Sequence, residues 1–315
     1  MTLAGVLAVA SVLPVAAQDL KAPKISGLVN VRYSWSDKEG DTHGFDVRRV
    51  RLAADGELGE RLDYKFQAEY ETTVKVIDAY LRVKLLPEVN VQIGEYKVPY
   101  SQETLYGPAT WLTIENPAAV AKLNGYNDLS GLKANGRDVG VTLYGDLLNK
   151  LFSYRVGVFN GNGINIKDNN NKKDFAGLVW FRPFVKELAF SFGHYQGVYG
   201  EKGDEHVRIR TSAGVEYKTD KLTLRSEYLN GNTAGKKSDG VYATAGYWVS
   251  KVVQPIASID YFKADRDGDE RQWNYQVGAN ILPLKKLRIQ AAYTYSNNKV
   301  AKNTNQFETQ VIWQF

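Results

Sequence analysis

The chain has 315 residues and no cysteine, which excludes a zinc–thiolate site, a disulfide scaffold and a cysteine nucleophile. Twenty tyrosines, six tryptophans and 28 glycines stand against nine prolines and one methionine, a composition typical of short strands joined by tight turns. The formal charge of +5 indicates a mild preference for anions and is too small for a nucleic-acid-binding protein.

The N-terminus predicts export from the cytoplasm. Residues 1–17 carry no charge, their core is apolar, and Val15-Ala16-Ala17 supplies the small residues of a cleavage site. We therefore predict a signal peptide over residues 1–17, incomplete at its N-terminus because no basic segment precedes the apolar core. Pro14 argues against a buried helix. Residues 18–315 show no linker or change of composition, and we predict a single domain there.

The body of the chain reads as strands. Apolar and polar side chains alternate with a period of two over residues 62–71, 76–85, 207–218 and 287–296. This alternation fits a soluble sheet packed on another sheet, and it fits equally a barrel with lipid outside and water inside.

The lengths of the connections favour the barrel. Short connections at 58–61, 86–88, 147–150, 183–186, 219–221, 251–253 and 282–286 alternate with longer polar loops at 37–44, 160–173, 200–206, 232–240, 265–271 and 297–303. This asymmetry is typical of outer-membrane barrels, which have short periplasmic turns and long external loops. We predict an all-β, transmembrane antiparallel β-barrel of about 16 strands that begins near Lys24 and ends at Phe315.

Aromatic residues support the same fold. Tyrosines stand at the ends of several apolar faces, as in the aromatic girdles of membrane barrels: Tyr64, Tyr70, Tyr154, Tyr217, Tyr293 and Tyr295. The last strand carries Phe307, Val311, Trp313 and Phe315 on one face. A terminal Phe315 resembles the signal that the outer-membrane assembly machinery recognises.

Four segments of the N-terminal third, taken in order, resemble the phosphate-selective porin O/P family. They are 44–51 (GFDVRRVR), 63–67 (DYKFQ), 78–80 (DAY) and 94–101 (GEYKVPYS). The resemblance implies a sixteen-stranded, trimeric outer-membrane porin that prefers anions or selects phosphate. Its partners would be lipid and lipopolysaccharide, small anions such as phosphate and two further copies of the chain.

The stretch 98–136 is far longer than an ordinary connection, which indicates a functional loop. In porins of this type one external loop folds inward and narrows the pore. We therefore treat Trp111, Lys122, Lys133 and Arg137 as candidate constriction residues. An external cap or a subunit contact is the alternative for this segment.

The alternation also predicts which side chains face the lumen. On the second strand, Val50, Leu52 and Ala54 face outward, so that Arg49 and Arg51 face inward and Arg48 lies near the outer rim. A guanidinium in a narrow pore attracts anions through its field and through bidentate hydrogen bonds. The predicted cationic pore lining is Arg49, Arg51, Lys65, Arg82, Lys84, Lys97, Arg155, Arg208, Arg210, Arg225 and Arg288.

Carboxylates on the same faces limit the expected selectivity. Inward acids are predicted at Asp63, Glu69, Glu71, Asp78, Glu216, Glu227 and Glu308. Many cations are therefore expected to be paired, and the long loop adds Glu103, Glu115 and Asp128. We expect passive diffusion of small hydrophilic solutes with a weak anion preference, not strong selection of phosphate.

Other functions have little support in the sequence. His43, His194 and His206 have no nucleophile beside them, so we expect no enzyme, catalytic residue, cofactor or metal centre. The acidic segment 265–270 lacks the glycine spacing of a calcium loop. Two alternatives stay open: a non-conducting structural or adhesion barrel whose loops bind partners, and a soluble periplasmic β-protein.

Overall fold

The computed structural model describes residues 21–124, 127–132 and 134–315. Its sixteen strands form one closed antiparallel barrel, and two short helices lie between the fifth and sixth strands. The strands are β1 (Lys24–Ser36), β2 (Gly44–Leu58), β3 (Leu62–Glu69), β4 (Lys75–Leu86), β5 (Val89–Lys97), β6 (Arg137–Leu147), β7 (Phe152–Phe159), β8 (Asp174–Phe181), β9 (Leu188–Tyr199), β10 (His206–Lys218), β11 (Leu222–Thr233), β12 (Lys236–Tyr247), β13 (Val253–Lys263), β14 (Gln272–Leu284), β15 (Leu287–Asn298) and β16 (Thr304–Gln314). The helices are α1 (Gln102–Leu105) and α2 (Ala118–Leu123).

The barrel closes by pairing its first strand with its last. β1 and β16 pair from Leu28 with Gln314 to Ser36 with Gln306, so no strand in the ring keeps an unpaired edge. The predicted fold and the strand count are confirmed, including the start at Lys24. No helix in the described ranges is both long and apolar enough to cross a membrane. The predicted signal peptide, residues 1–17, lies outside the described residues.

Side chains alternate between the two faces of the barrel wall, as the period of two requires. On β10, Val207 is 44% exposed on the outer face, whereas Arg208, Arg210 and Ser212 are buried inside. The outer face carries aromatic pairs near both ends of the barrel. Tyr33–Phe45, Tyr261–Trp273 and Tyr275–Tyr295 lie toward one end, and Phe152–Phe181 and Trp313–Phe315 toward the other.

The two ends of the barrel differ in their connections. At the end where β1 begins and β16 ends, here called the turn end, the connections have two to six residues. The opposite end, the loop end, carries the 39-residue connection 98–136, here called the long loop, and the connection 160–173. This matches the predicted asymmetry of the connections.

One predicted loop is wrong. Residues 232–240 do not form a long connection, because β11 continues to Thr233 and β12 begins at Lys236. The strands are joined by Ala234 and Gly235, which both have positive φ (51° and 90°), as in the type I′ turns that fit twisted hairpins. The polar residues of this segment extend the hairpin.

The long loop folds into the barrel, as predicted. Its helix α2 packs on β11, β12 and β13. Val98, Tyr100, Ala119, Val120 and Leu123 of the loop form a buried cluster with wall residues, among them Leu229, Tyr242 and Phe262. The loop packs on β11, β12 and β13 and leaves a space beside β2–β7, here called the open side of the lumen.

Candidate functional site

Arginines of the wall hold the long loop in place. Arg210 Nη2 lies 3.1 Å from Asp128 Oδ1, and Arg225 bridges Glu216 (2.7 Å) and Glu103 (3.7 Å). Arg288 donates to the carbonyl oxygens of Ala109 (2.6 Å) and Trp111 (2.7 Å). The guanidiniums of Arg210, Arg225 and Arg288 therefore bind the loop and do not border the open side of the lumen.

Arg208, the fourth predicted arginine on this wall, contacts the connection 160–173. Arg208 Nη2 pairs with Asp174 Oδ2 at 3.1 Å and donates to the carbonyl oxygen of Gly161 at 2.8 Å. Its guanidinium also lies 4.9 Å from the ring centre of Tyr195. Because Gly161 belongs to the connection 160–173, Arg208 fixes that connection against the wall.

Helix α1 is attached to the wall through buried carboxyl groups. Glu227 on β11 accepts hydrogen bonds from Ser101 Oγ (2.9 Å) and from the Gln102 amide (3.0 Å). The Tyr242 hydroxyl lies 3.3 Å from a carboxyl oxygen of Glu227 and 3.3 Å from one of Glu103. Burial raises the pKa of Glu103, and Arg225 opposes that shift only in part.

A second attachment joins the loop to β1 and β2. Glu115 lies 3.0 Å from Arg32, 3.1 Å from Arg48 and 4.0 Å from Arg49. Burial alone would raise the pKa of Glu115. The three guanidiniums lower the pKa by more than burial raises it, so the pKa lies below the ordinary value.

The predicted position of Arg48 at the outer rim is wrong. Asn30 of β1 pairs with Arg49 of β2, but the next residue, Val31, pairs with Val47. Arg48 is therefore the extra residue of a β-bulge. A bulge changes the face on which a side chain emerges, and Arg48 thereby reaches Glu115 inside the barrel.

The candidate constriction residues have different surroundings. Trp111 is buried, its Nε1 donates to the Tyr106 carbonyl (3.1 Å), and the Arg49 guanidinium lies 5.2 Å from its ring centre. Arg137 is buried and pairs with Asp78 at 3.0 Å. Lys122 is half-buried in α2, and Lys133 lies outside the described residues.

The open side of the lumen contains a cavity of about 410 Å³ beneath the long loop, here called the lower chamber. Among the described residues, six cations and one carboxylate line it. They are Arg51, Lys65, Arg82, Lys97, Arg137 and Arg155, together with Asp78. Leu105, Gly107, Pro108 and Ala109 of the long loop form its other side, and Leu28, Gln67, Tyr80, Gln92 and Tyr96 complete the lining.

Most of these cations have a carboxylate partner on a neighbouring strand. Arg51 pairs with Glu69 (2.6 Å), Lys65 with Asp55 (3.2 Å), and both Arg82 (2.5 Å) and Lys84 (3.2 Å) with Asp63. These pairs neutralise much of the wall, and Lys84 lies beyond the chamber toward the turn end.

Lys97 and Arg155 differ from the other cations of the chamber. Lys97 Nζ donates to the carbonyl oxygens of Leu105 (3.3 Å) and Tyr106 (2.5 Å), and the Arg155 guanidinium lies 5.5 Å from the ring centre of Tyr144. Neither forms an ion pair with a carboxylate in the described ranges. Carbonyls and rings accept these contacts without cancelling a charge, so a positive charge on either residue is not neutralised by an ion pair with a carboxylate of the described residues.

A second cavity, of about 360 Å³, continues the space toward the turn end and shares Leu105 and Arg155 with the lower chamber. Sequence reasoning missed three of its four cations, which are Arg182, Lys186 and Lys218. They stand at strand ends and in a turn, where alternation does not assign a face. Tyr80 and Gln92 of the lower chamber were also missed, although Tyr80 lies on the inward face that alternation gives for β4.

The family of the chain follows from its sequence over the region that builds the chamber. A model of the family described as phosphate-selective porin O and P matches residues 29–187, which is half of the chain. The chain belongs to this family. It is therefore a porin, and its closed barrel forms a channel. No curated protein matches the sequence.

Solved porin structures share the fold of this porin at low sequence identity. An anion-selective porin from Comamonas acidovorans is 15% identical, with a TM-score of 0.74 over 93% of this chain and 99% of that one. OmpF of Salmonella typhi, in complex with daunomycin, is 12% identical, with a TM-score of 0.71 over 93% and 97% of the two chains. A trimer form of OmpT from Vibrio cholerae is 14% identical, with a TM-score of 0.66 over 94% and 100%.

Proposed function

We propose that this porin conducts small anions passively across the bacterial outer membrane, along the lower chamber. The observation that carries the proposal is that two cations of the chamber lining, Lys97 and Arg155, have no carboxylate partner among the described residues, whereas the other four are paired. An excess of fixed positive charge raises the local concentration of anions and lowers that of cations.

The preference among anions is proposed to be weak. Arg51, Lys65 and Arg82 are each paired with a carboxylate, so few guanidiniums are available for bidentate capture of one phosphate ion. A solute that binds tightly also leaves slowly, whereas diffusion requires weak binding. Small anions, phosphate among them, would pass by charge and size.

The location and assembly of the porin belong to the same proposal. Residues 1–17 would direct export, and the terminal strand that ends at Phe315 would be recognised by the assembly machinery of the outer membrane. The chain would associate as a homotrimer, like the trimer form of OmpT from Vibrio cholerae, with its outer face in contact with lipid and lipopolysaccharide.

The decisive measurement is the reversal potential of single channels in a KCl gradient across a planar bilayer. The proposal expects a potential of the sign given by chloride permeation, and a cation-selective potential would refute it. Absence of any conductance would favour a non-conducting structural barrel, a possibility raised by the dense packing of the long loop around Trp111 and Ile114. Reduction of the chloride current by millimolar phosphate would indicate a dedicated phosphate site instead of general anion diffusion.

A further inference from the structure

The lower chamber has two chemically different sides. β2–β7 supply the cations, and the long loop supplies Leu105, Gly107, Pro108 and Ala109, which present no charged or hydrogen-bonding side chain. Lys97 holds the two sides together, because its ammonium group donates to the carbonyls of Leu105 and Tyr106. The apolar surface is therefore fixed opposite the charged wall.

The apolar side of the chamber would not help to bind inorganic anions. A fully hydrated ion gains nothing from apolar surface, whereas a hydrocarbon group gains free energy when it leaves water. The cavity volume of about 410 Å³ is within the range of sites for small organic ligands.

Aromatic rings extend the apolar surface on the wall. Tyr80 and Tyr96 contact each other edge to face with ring centres 6.0 Å apart, and the Arg82 guanidinium lies 5.4 Å from the centre of the Tyr80 ring. A flat ring in the chamber could contact these tyrosines while its anionic group meets Lys97 or Arg155.

We infer that the lower chamber recognises organic monoanions with an apolar or aromatic body, and binds them better than small hydrophilic anions of the same charge. This inference rests on the proposed function, because it takes the lower chamber as the anion path. The anionic group would lie at Lys97 and Arg155, and the body against Leu105, Pro108 and Tyr80.

The test compares benzoate with acetate, which carry the same charge and differ in the apolar body. Block of the chloride current through single channels is measured as each anion is added to the KCl solution. We expect half-maximal block by benzoate at about one tenth of the acetate concentration, the factor that partial burial of one ring gives. Equal block by the two anions would overturn the inference and leave the porin function intact.

Substitutions locate the effect. Leu105→Ser should remove most of the preference for benzoate over acetate, because it replaces the apolar side chain that would contact the ring. Leu148→Ser, an equal change at an exposed turn-end residue, should preserve the benzoate preference. Loss of the preference in both variants, or in neither, would overturn the assignment to the chamber.

Calorimetric titration of the detergent-solubilised porin measures the same preference without conduction. Benzoate is expected to bind about tenfold more tightly than acetate. A channel that passes no chloride refutes the proposed function, and equal dissociation constants for the two anions refute the inference separately.

Discussion

At the scale of single residues, the net charge of the lumen depends on which inward cations have a carboxylate partner. Inward cations were predicted from alternation alone, but alternation does not show which of them are neutralised. Arg82 and Lys97 both occupy inward positions at the lower chamber, yet one faces Asp63 at 2.5 Å and the other faces two carbonyls. The difference depends on register and on the course of the long loop, which a single sequence does not specify.

Lys97→Gln and Arg155→Gln should each weaken anion selectivity, because each removes a positive charge without a carboxylate partner. A unit charge about 4 Å from an ion in water contributes about 1 kcal/mol, or roughly a fivefold change in local anion concentration. The shift is measured as a smaller reversal potential in a KCl gradient. Lys299→Gln is the control. Lys299 lies in the exposed connection between β15 and β16, where it pairs with Asp269 of the neighbouring connection between β13 and β14. An equal shift in the control would contradict a role for the chamber.

At the scale of elements, the strands were predictable and several of their details were not. Alternation and connection lengths predicted about sixteen strands, and the resemblance to porins predicted the inward loop. The bulge at Arg48 escaped prediction because an extra residue leaves the apolar pattern of β2 intact while turning one side chain inward. The hairpin at Ala234 and Gly235 escaped because its strands continue with polar residues.

The long loop depends on a close approach that only a small wall residue permits. A side chain at Gly193 on β9 would place its Cβ atom 1.8 Å from the carbonyl oxygen of Tyr100, which also accepts a hydrogen bond from Ser212. A glycine inside a strand is a recognised sign of such an approach. The sequence contained this signal, but not the identity of the approaching segment.

The attachment of α1 should weaken as the pH rises. Because burial raises the pKa of Glu103, the protonated carboxyl stabilises the docked loop at acidic pH, and this contribution is lost as the pH rises through the raised pKa. Ionised Glu103 would also face the Glu227 carboxyl across Tyr242. We expect larger fluctuations of the single-channel current at alkaline than at acidic pH.

Glu103→Gln should reduce this pH dependence, because an amide still contacts Tyr242 and does not ionise. Glu201→Gln, in the exposed connection between β9 and β10, is the control and should keep the dependence of the unchanged channel. Fluctuations that grow toward acidic pH, or that are unaffected by Glu103→Gln, would show that this carboxyl does not control the loop.

At the scale of the whole molecule, the barrel depends on the seam between its two terminal strands. Gly27 and Phe315 exchange two backbone hydrogen bonds of 3.1 Å, and the Phe315 ring covers Gly27 so closely that an added Cβ atom would lie 2.1 Å from the ring. A closed barrel has no free edge only while this seam is formed. The seam therefore couples one glycine to the closure of all sixteen strands.

Gly27→Val should destabilise the closed barrel by about 1–3 kcal/mol, the usual cost of forcing a side chain into an occupied space. The measurement is the temperature at which the folded, fast-migrating form converts to the unfolded form on SDS gels. Ala257→Val places a valine on the exposed outer face of β13, away from the seam, and should leave that temperature nearly unchanged. If both variants convert at the same temperature, the contact between Phe315 and Gly27 contributes nothing to closure, and the stability of the seam must come from the register of β1 and β16 alone.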